Sequence, residues 1–156
     1  AGRADWERIV FAGEATDPDF PATVHGALAS GRRAAELVAS AVGPQERVLI
    51  VGAGAAGLAA ARVLSEESIS YEVVEARDRV GGRVDTSEAL GAPVELGASW
   101  IHGPNGNPLS ALAREAGMTC SRSHRRSPSS RAAGSCRQDG SRSSRPWRAR
   151  SSSRRP

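Results

Sequence analysis

The stretch Val48-Leu-Ile-Val-Gly-Ala-Gly-Ala-Ala-Gly57 decides the fold of this chain. Its apolar start, Val48 to Val51, predicts a short buried strand, and the alanine-rich run from about Ala55 to Glu67 predicts a helix. Glycines between the two permit a tight turn, close approach of the backbone to a ligand, and close packing of helix on strand. The amide-rich helix start would then face an anion such as a pyrophosphate. The candidate residues are Gly52, Ala53, Gly54, Ala56 and Gly57.

A second predicted strand, Tyr71 to Val74, gives this motif its context. It ends in Glu75, which lies 23 positions after Gly52. A βαβ unit that binds a dinucleotide places an acid about 20 residues after the glycines, where it accepts hydrogen bonds from ribose hydroxyls. A βαβ unit without a ligand is the alternative. The context favours a dinucleotide site over a chance run of glycines.

Further elements are predicted on both sides of this unit. Arg8 to Ala12 is apolar and β-branched enough for a buried strand, and a helix follows from near Thr23. Val94 to Leu96 forms a short strand by the same criteria. Asn107-Pro108 is typical of a helix start, with asparagine as the N-cap and proline at the first helical position.

Charge is distributed unevenly along the 156 residues, whose net charge is +4. Residues 1–120 hold 10 Arg against 16 acids, and residues 121–156 hold 11 Arg against one acid. The second segment also has 12 Ser and no Leu, Ile, Val or Phe. Such a segment cannot bury enough apolar surface to offset its ordering entropy, so we expect a disordered basic tail.

Other classes of site find little support in the sequence. The two cysteines, Cys120 and Cys136, form no CxxC or cysteine–histidine cluster, which argues against a metal site and gives little support to a disulfide. No apolar run is long enough to span a membrane, and no secretory signal is visible, so we expect a cytoplasmic protein.

Four stretches resemble the signatures of flavin-dependent amine oxidases. Arg8 to Thr16 with Pro21 to Arg33 resembles the closing segment of that family, whereas Val48 to Gly57 resembles its opening segment. Glu75 to Arg83 resembles the family's second signature. The last stretch, Val94-Glu-Leu-Gly-Ala-Ser-Trp-Ile-His-Gly103 with Asn105 to Pro108, resembles the polyamine and spermine oxidase branch. In this chain the closing segment therefore precedes the opening one.

The resemblance implies FAD as cofactor and assigns its contacts. Arg77 would lie near the adenosine, Gly82 and Arg83 near the diphosphate or flavin, and Glu14 near the diphosphate or ribityl chain. The helix start at Thr23 and Val24 would point at flavin N1 and the C2 carbonyl, where a positive helix end stabilises the reduced anion. The stretch that would run along the isoalloxazine ring is Gly97, Ala98, Ser99 and Trp100.

His102 is the one residue that the resemblance directs towards a substrate tunnel, and a purely structural role is the alternative. No catalytic residue is predicted, because the chain has no lysine to match the family's lysine and lacks the segment that forms its substrate domain. We therefore expect little or no amine oxidation by this polypeptide alone.

The predicted fold is α/β: a Rossmann-like FAD-binding βαβ unit with an added parallel strand and helix, followed by the tail. Residues 1–44 would be the strand and helix of the family's C-terminal type, residues 45–120 the N-terminal-type FAD-binding segment, and residues 121–156 the disordered tail.

Three functional hypotheses stay open. The first is a truncated or rearranged amine (polyamine) oxidase, as a junction of tandem oxidases or an error in the gene model would give. The second is half of a split flavoenzyme, completed by a second chain that carries the substrate domain. The third is a non-catalytic module whose tail binds a polyanion, although one aromatic residue and no repeat make nucleic acid an unfavoured partner.

Overall fold

The computed structural model of the chain describes residues 8–103, 105–122 and 133–138. Three helices are present in this part: α1 (Val24–Ala41), α2 (Ala55–Glu66) and α3 (Pro108–Glu115). A 3₁₀ turn, Glu14–Thr16, precedes α1. Seven short strands complete it: β1 (Val48–Val51), β2 (Tyr71–Val74), β3 (Thr86–Ser87), β4 (Val94–Glu95), β5 (Trp100–His102), β6 (Met118–Arg122) and β7 (Ala133–Gln138).

The centre of the fold is the βαβ unit that the glycine-rich stretch predicts. Strands β1 and β2 pair in parallel, with Val48 opposite Tyr71 and Val51 opposite Val74. Helix α2 crosses between them, as a parallel pair requires. The predicted Rossmann-like α/β unit is therefore confirmed.

The apolar core lies between the two long helices and this parallel pair. Leu64 on α2 is 1% exposed and is its most enclosed large side chain. Close approach of the helices depends on Gly31 in α1, because a Cβ there would lie 2.1 Å from the carbonyl oxygen of Ala56. The buried core consists of Ala35, Ile50, Ala60, Ala61, Val63 and Leu64.

The prediction of a buried strand at Arg8–Ala12 is wrong. These residues belong to no strand, β1 pairs with β2 alone, and the side chain of Phe11 is 82% exposed. A strand forms only where a neighbour lies about 4.8 Å away to share hydrogen bonds. Here a wide cleft, lined on one side by Arg8–Ala12 and on another by β1, takes the place of that neighbour.

Two contacts hold this segment in place beside the cleft. Arg8 Nη2 forms an ion pair with Glu46 Oε1 at 2.6 Å, just before β1. At the other end the N–H of Gly13 donates to Ser30 Oγ on α1 at 2.9 Å. The segment is thus anchored to α1 and to the β1 connector without joining the sheet.

The predicted tail also differs from expectation where it is described. Residues 133–138 form β7, which pairs antiparallel with both β5 and β6 and places Cys136 opposite Cys120. Cys120 is disulfide-bonded, which corrects the low support that the sequence gave to a disulfide. Spacing of cysteines along a chain does not reveal which strands will pair. The other residues from 123 onward, and with them the proposed polyanion-binding function, lie outside the described residues.

The strand expected at Val94 to Leu96 forms as β4, one residue shorter, and pairs antiparallel with β3 in a separate two-stranded ribbon. Helix α3 starts as predicted, with Asn107 Oδ1 accepting a hydrogen bond from the N–H of Leu109 at 3.0 Å. Among the described residues, no helix is long and apolar enough to cross a membrane.

Candidate functional site

The loop between β1 and α2 is built by its glycines. Gly52 has a φ of 101°, a left-handed conformation that favours glycine, and its N–H donates to the carbonyl of Val74 at 2.7 Å. Gly57 lies so close to the loop that a Cβ there would be 1.9 Å from the carbonyl oxygen of Gly52. The sequence prediction of a tight turn and of close helix packing is met at these two positions.

Gly54 is the N-cap of α2 and leaves open space where a side chain would stand. The nearest atom to a Cβ at this position is the carbonyl oxygen of Gly81, at 4.0 Å. The first bond of α2 runs from the N–H of Leu58 to the carbonyl of Gly54 at 2.9 Å. The amides of the first helical turn therefore have no intrahelical acceptor, and with the helix dipole they form a site suited to an anion.

Glu75 anchors this loop from the end of β2. Its Oε2 accepts a hydrogen bond from the N–H of Ala53 at 2.7 Å, and its Oε1 accepts one from the N–H of Arg77 at 3.0 Å. These bonds, that from Ala53 first, hold the pKa of the Glu75 carboxyl below its ordinary value of 4.5. Each carboxylate oxygen can accept a second hydrogen bond, so capacity for a ribose hydroxyl is left.

The loop from Arg79 to Arg83 lies directly on the glycine loop. The N–H of Gly81 donates to the carbonyl of Ala53 at 2.9 Å, and Gly81 and Gly54 form a parallel bridge. A Cβ on Gly82 would be 3.4 Å from the Cα of Gly54. Two segments that are separate in the sequence therefore form one continuous backbone wall.

An ion pair connects this wall to the segment before α1. Arg83 Nη1 lies 2.8 Å from Glu14 Oε1, and the two residues are 69 positions apart. Glu14 Oε2 also accepts a hydrogen bond from the N–H of Ala22 at 2.6 Å. The bond from Arg83, followed by that from Ala22, lowers the pKa of the Glu14 carboxyl, so the pair is charged at neutral pH.

The start of α1 is fixed by its cap. Thr23 Oγ1 accepts a hydrogen bond from the N–H of Gly26 at 3.0 Å and donates to the carbonyl of Phe20 at 2.7 Å. Ala22, just before the cap, has a φ of 58°, which is uncommon for a residue with a side chain. Its N–H is the one that Glu14 holds, so the ion pair and the helix start are parts of one arrangement.

The stretch after β4 passes behind Arg83. The N–H of Ala98 donates to the carbonyl of Arg83 at 3.1 Å, and a Cβ on Gly97 would lie 1.9 Å from the same oxygen. This glycine is required by the close approach of two backbone segments. Ser99 and Trp100 follow, and the Trp100 side chain is 45% exposed.

Most of the predicted site residues line a single cleft of about 2020 Å³. This volume exceeds that of ordinary small-molecule pockets, roughly 300–1,000 Å³. The predicted residues on its walls are Glu14, Thr23, Val24, Gly52, Gly54, Ala56, Gly57, Arg77, Gly82, Arg83, Gly97 and Ala98. The described lining does not include Ala53, Glu75, Ser99, Trp100 or His102; the first two support the loop from behind.

Sequence reasoning missed a buried polar group beside this cleft. His25, the second residue of α1, is 8% exposed and lies 3.3 Å through Nδ1 from Nδ2 of Asn107. No motif marks it. Asp17, 4% exposed, is also missed: it accepts hydrogen bonds from the N–H groups of Asp19 and Phe20 and pairs with Arg33 at 2.8 Å. The one sequence signal that could have found them is their position, Asp17 before α1 and His25 in its first turn.

The residues present fit a dinucleotide with a diphosphate. The site offers a glycine wall without side chains, a helix start with unpaired amides, an arginine and a carboxylate held by backbone amides. Within the described ranges no cluster of His, Cys, Asp and Glu is arranged to hold a metal ion. The arrangement can therefore bind and orient an organic cofactor by backbone and charge.

Comparison with known proteins agrees with this geometry. Residues 1–39 and 55–149 match the family model described as flavin containing amine oxidoreductase. The chain is 50% identical over 76 residues to the probable polyamine oxidase 4 of Arabidopsis thaliana, covering 48% of this chain and 15% of that protein. It is 46% identical over 94 residues to the peroxisomal N(1)-acetyl-spermine/spermidine oxidase of Bos taurus, covering 58% and 18%.

A solved structure of putrescine oxidase with putrescine bound is also similar, at 43% identity and a TM-score of 0.43, over 49% of this chain and 17% of that one. The chain thus spans less than a fifth of the length of these relatives.

Proposed function

Since this chain belongs to the family of flavin-containing amine oxidoreductases, whose membership implies FAD as cofactor, we propose that its described part is the FAD-binding portion of a polyamine-type amine oxidase. The observation that carries the proposal is the Glu14–Arg83 ion pair at 2.8 Å. It joins two segments whose residues lie 69 positions apart, and both residues line the cleft together with other candidate residues.

Each part of the site has a role in this proposal. The first-turn amides of α2 bind the diphosphate, and the glycines at 52 and 54 let the backbone approach it. Glu75 binds the ribose hydroxyls while it holds the loop through Ala53. Arg77 lies at the adenosine side, and Gly82 with Arg83 at the diphosphate side.

The flavin end would be held by the rest of the cleft. The capped start of α1 at Thr23 and Val24 directs its positive end to the N1 and C2 carbonyl side of the ring. Glu14 orients this helix start through Ala22, and the backbone from Gly97 to Trp100 runs along the ring. When bound, the flavin supplies hydride acceptance from an amine, and these residues supply orientation and charge.

FAD titration of the purified full chain tests this proposal. Folding is first checked by circular dichroism, and FAD fluorescence and visible absorption are then followed as protein is added. We expect saturable binding with one FAD per chain. Folded protein that leaves the FAD signal unchanged would contradict the proposal.

Amine oxidation is proposed as the reaction of the complete system, with polyamines as its substrates. The chain has no lysine and spans less than a fifth of the length of its oxidase relatives, so we expect little turnover when no second polypeptide is added. Peroxide formed from spermine or N-acetylspermine at about 1 per second or more would overturn this expectation. His102 lies outside the described cleft lining, and its place near a substrate stays a prediction.

A second chain that completes the enzyme is favoured by the free edge of β1. Within the described residues β1 pairs only with β2, and β1 and Arg8–Ala12 both line the cleft. Such an edge accepts an added strand through main-chain hydrogen bonds. We propose that an extended apolar strand from the substrate-domain polypeptide fills this position.

Co-expression tests this completion. The part of the Arabidopsis relative that lies outside its 76-residue region similar to this chain serves as the added polypeptide. Peroxide production from spermine above that of either part alone supports completion; two folded parts that neither associate nor react contradict it. The cytoplasmic location also stays a proposal, because the name of the bovine relative places that protein in the peroxisome.

A further inference from the structure

His25 is a buried histidine that connects three elements beside the cleft. It lies in the first turn of α1 and is 8% exposed, and its ring is 4.6 Å from that of Phe20 between centroids. Its Nδ1 is 3.3 Å from Nδ2 of Asn107. The same Nδ2 donates to the carbonyl of His102 in β5 at 2.9 Å. Asn107 in turn caps α3.

The orientation of the Asn107 amide is fixed by its own bonds. Its Oδ1 accepts the N–H of Leu109, and its NH₂ group donates to the carbonyl of His102, so the oxygen and nitrogen cannot be exchanged. The NH₂ group therefore donates to His25 as well. His25 Nδ1 must then be the acceptor, which puts the ring proton on Nε2.

Protonation of His25 would destroy this contact. A proton on Nδ1 would face the NH₂ group of Asn107, donor against donor. The imidazolium would also lie in the first turn of α1, where the helix dipole disfavours a cation. Burial, and next the neighbouring His102, lower the pKa of His25 below 6.5; Asp17 opposes them. Asp17 is itself paired with Arg33 of α1, so its compensation is partial.

The contact matters because of what it joins. It is a side-chain hydrogen bond between α1 and the β5–α3 segment. One side carries the capped helix start at Thr23, and the other carries Trp100 and His102. Under the proposed function, on which this part of the inference rests, Thr23 and Trp100 hold the flavin from two sides and His102 lies towards the substrate.

We propose that His25 is a positioning residue that acts as an acid-sensitive latch: its neutral Nε2–H form docks the Asn107 cap and holds β5 and α3 against the start of α1. Loss of the neutral form releases β5 and α3. The latch sets the distance between the two sides of the site without touching the reacting atoms.

The test uses ¹⁵N NMR of the full-length chain, because the imidazole nitrogens report tautomer and charge directly. We expect the Nε2–H tautomer at neutral pH and a His25 titration midpoint below 6.5, with the amide signals of β5 and α3 shifting at that midpoint. An Nδ1–H tautomer, or a midpoint at or above 6.5, would overturn the proposal.

Two variants make the test specific. Asn107→Asp keeps the N-cap, since aspartate caps as well as asparagine, but presents a carboxylate to His25; we expect the midpoint to rise by at least about one pH unit. An unchanged midpoint counts against the latch. His25→Gln retains an acceptor that does not titrate, and should remove the acid-induced shifts of α3, which contains no histidine; α3 shifts that persist also count against the latch.

FAD affinity is measured on the same samples from pH 5 to 8. Under the latch it falls in step with the His25 titration in the native chain and stays level in His25→Gln. If the tautomer and midpoint are as expected but FAD does not bind at any pH, the proposed function fails and the latch stands. If a variant does not fold, the tautomer of the native chain still decides.

Discussion

Gly54 and Gly57, three positions apart in the chain, give the sharpest test of the site. Gly57 is needed for folding, and Gly54 is proposed to serve binding. Gly57 faces inward: an added Cβ would be 1.9 Å from the carbonyl oxygen of Gly52 and must move by at least about 1.1 Å to reach 3.0 Å. Gly54 faces the open cleft, where the nearest atom to an added Cβ is 4.0 Å away. We therefore expect alanine at position 57 to lower mainly the stability of the fold, and alanine at position 54 to lower mainly the affinity for FAD.

We expect Gly57→Ala to lower the free energy of unfolding. With a Cβ only 1.9 Å from a backbone oxygen, overpacking should cost about 2–3 kcal/mol, the upper part of its usual range, and the better helix propensity of alanine recovers up to about 1 kcal/mol. The helix must move away from β1, so a net loss of about 1–2 kcal/mol is expected. Urea unfolding followed by circular dichroism measures it.

Gly54→Ala should keep the chain folded and cost at most about 1 kcal/mol, because alanine is a poorer N-cap than glycine. Its φ of −80° and ψ of −176° suit any residue, so alanine brings no strain. The methyl group does, however, occupy the place where the backbone would lie nearest to the diphosphate. We expect FAD binding to weaken at least tenfold, about 1.4 kcal/mol.

The pair of variants separates folding from binding. FAD titration of Gly54→Ala, with urea unfolding measured in the same buffer, tests whether the diphosphate lies at this loop. Affinity within twofold of the native chain, in a folded protein, would refute the placement of the diphosphate at this loop. A fully stable Gly57→Ala would refute the packing argument.

Three further predictions follow from the packing and the charges. Leu64→Ala should cost about 2–5 kcal/mol of unfolding free energy, because the side chain is 1% exposed in the core; Leu37→Ala, 62% exposed, is its control and should change little in the same urea titration. Arg83→Gln should weaken FAD binding with only a small fall of the urea midpoint, whereas Arg62→Gln, which breaks the more exposed pair with Glu66 on α2, should change neither. The bond from Arg33, and then backbone N–H bonds, lower the pKa of Asp17 below 3.8. Its contribution to stability is therefore present above that pH and is lost as the pH falls through the lower, folded-state pKa. An Asp17→Asn variant that loses stability in acid just as the native chain does would contradict this.

The part of the fold that follows from local sequence could be predicted. The turn at Gly52 and the approach at Gly57 depend on residues within one strand, one turn and one helix, so their pattern is sufficient. The capped starts of α1 and α3 are equally local, since each side chain bonds an amide two or three residues ahead.

What could not be predicted depends on distant partners. Arg8–Ala12 has the composition of a strand, but a strand needs a neighbour, and in this chain a cleft separates it from β1. The pairing of β7 with β5 and β6 arises in a segment whose composition predicts disorder. His25 escaped notice because its role depends on Asn107, 82 residues away.

The order of the segments matters less to the site than the contacts between them. The resemblance implies that the closing segment of the family precedes the opening one in this chain. Whichever segment comes first, the two form the site only where they meet through noncovalent contacts. Two such contacts form the walls of the cleft: Gly31 of α1 packs on the backbone of Ala56, and Glu14 pairs with Arg83. Neither contact involves the connector from 42 to 47. Because the cleft is defined by these contacts, a chain with the segments in the opposite order would build the same walls, and the short connector is a consequence of their proximity.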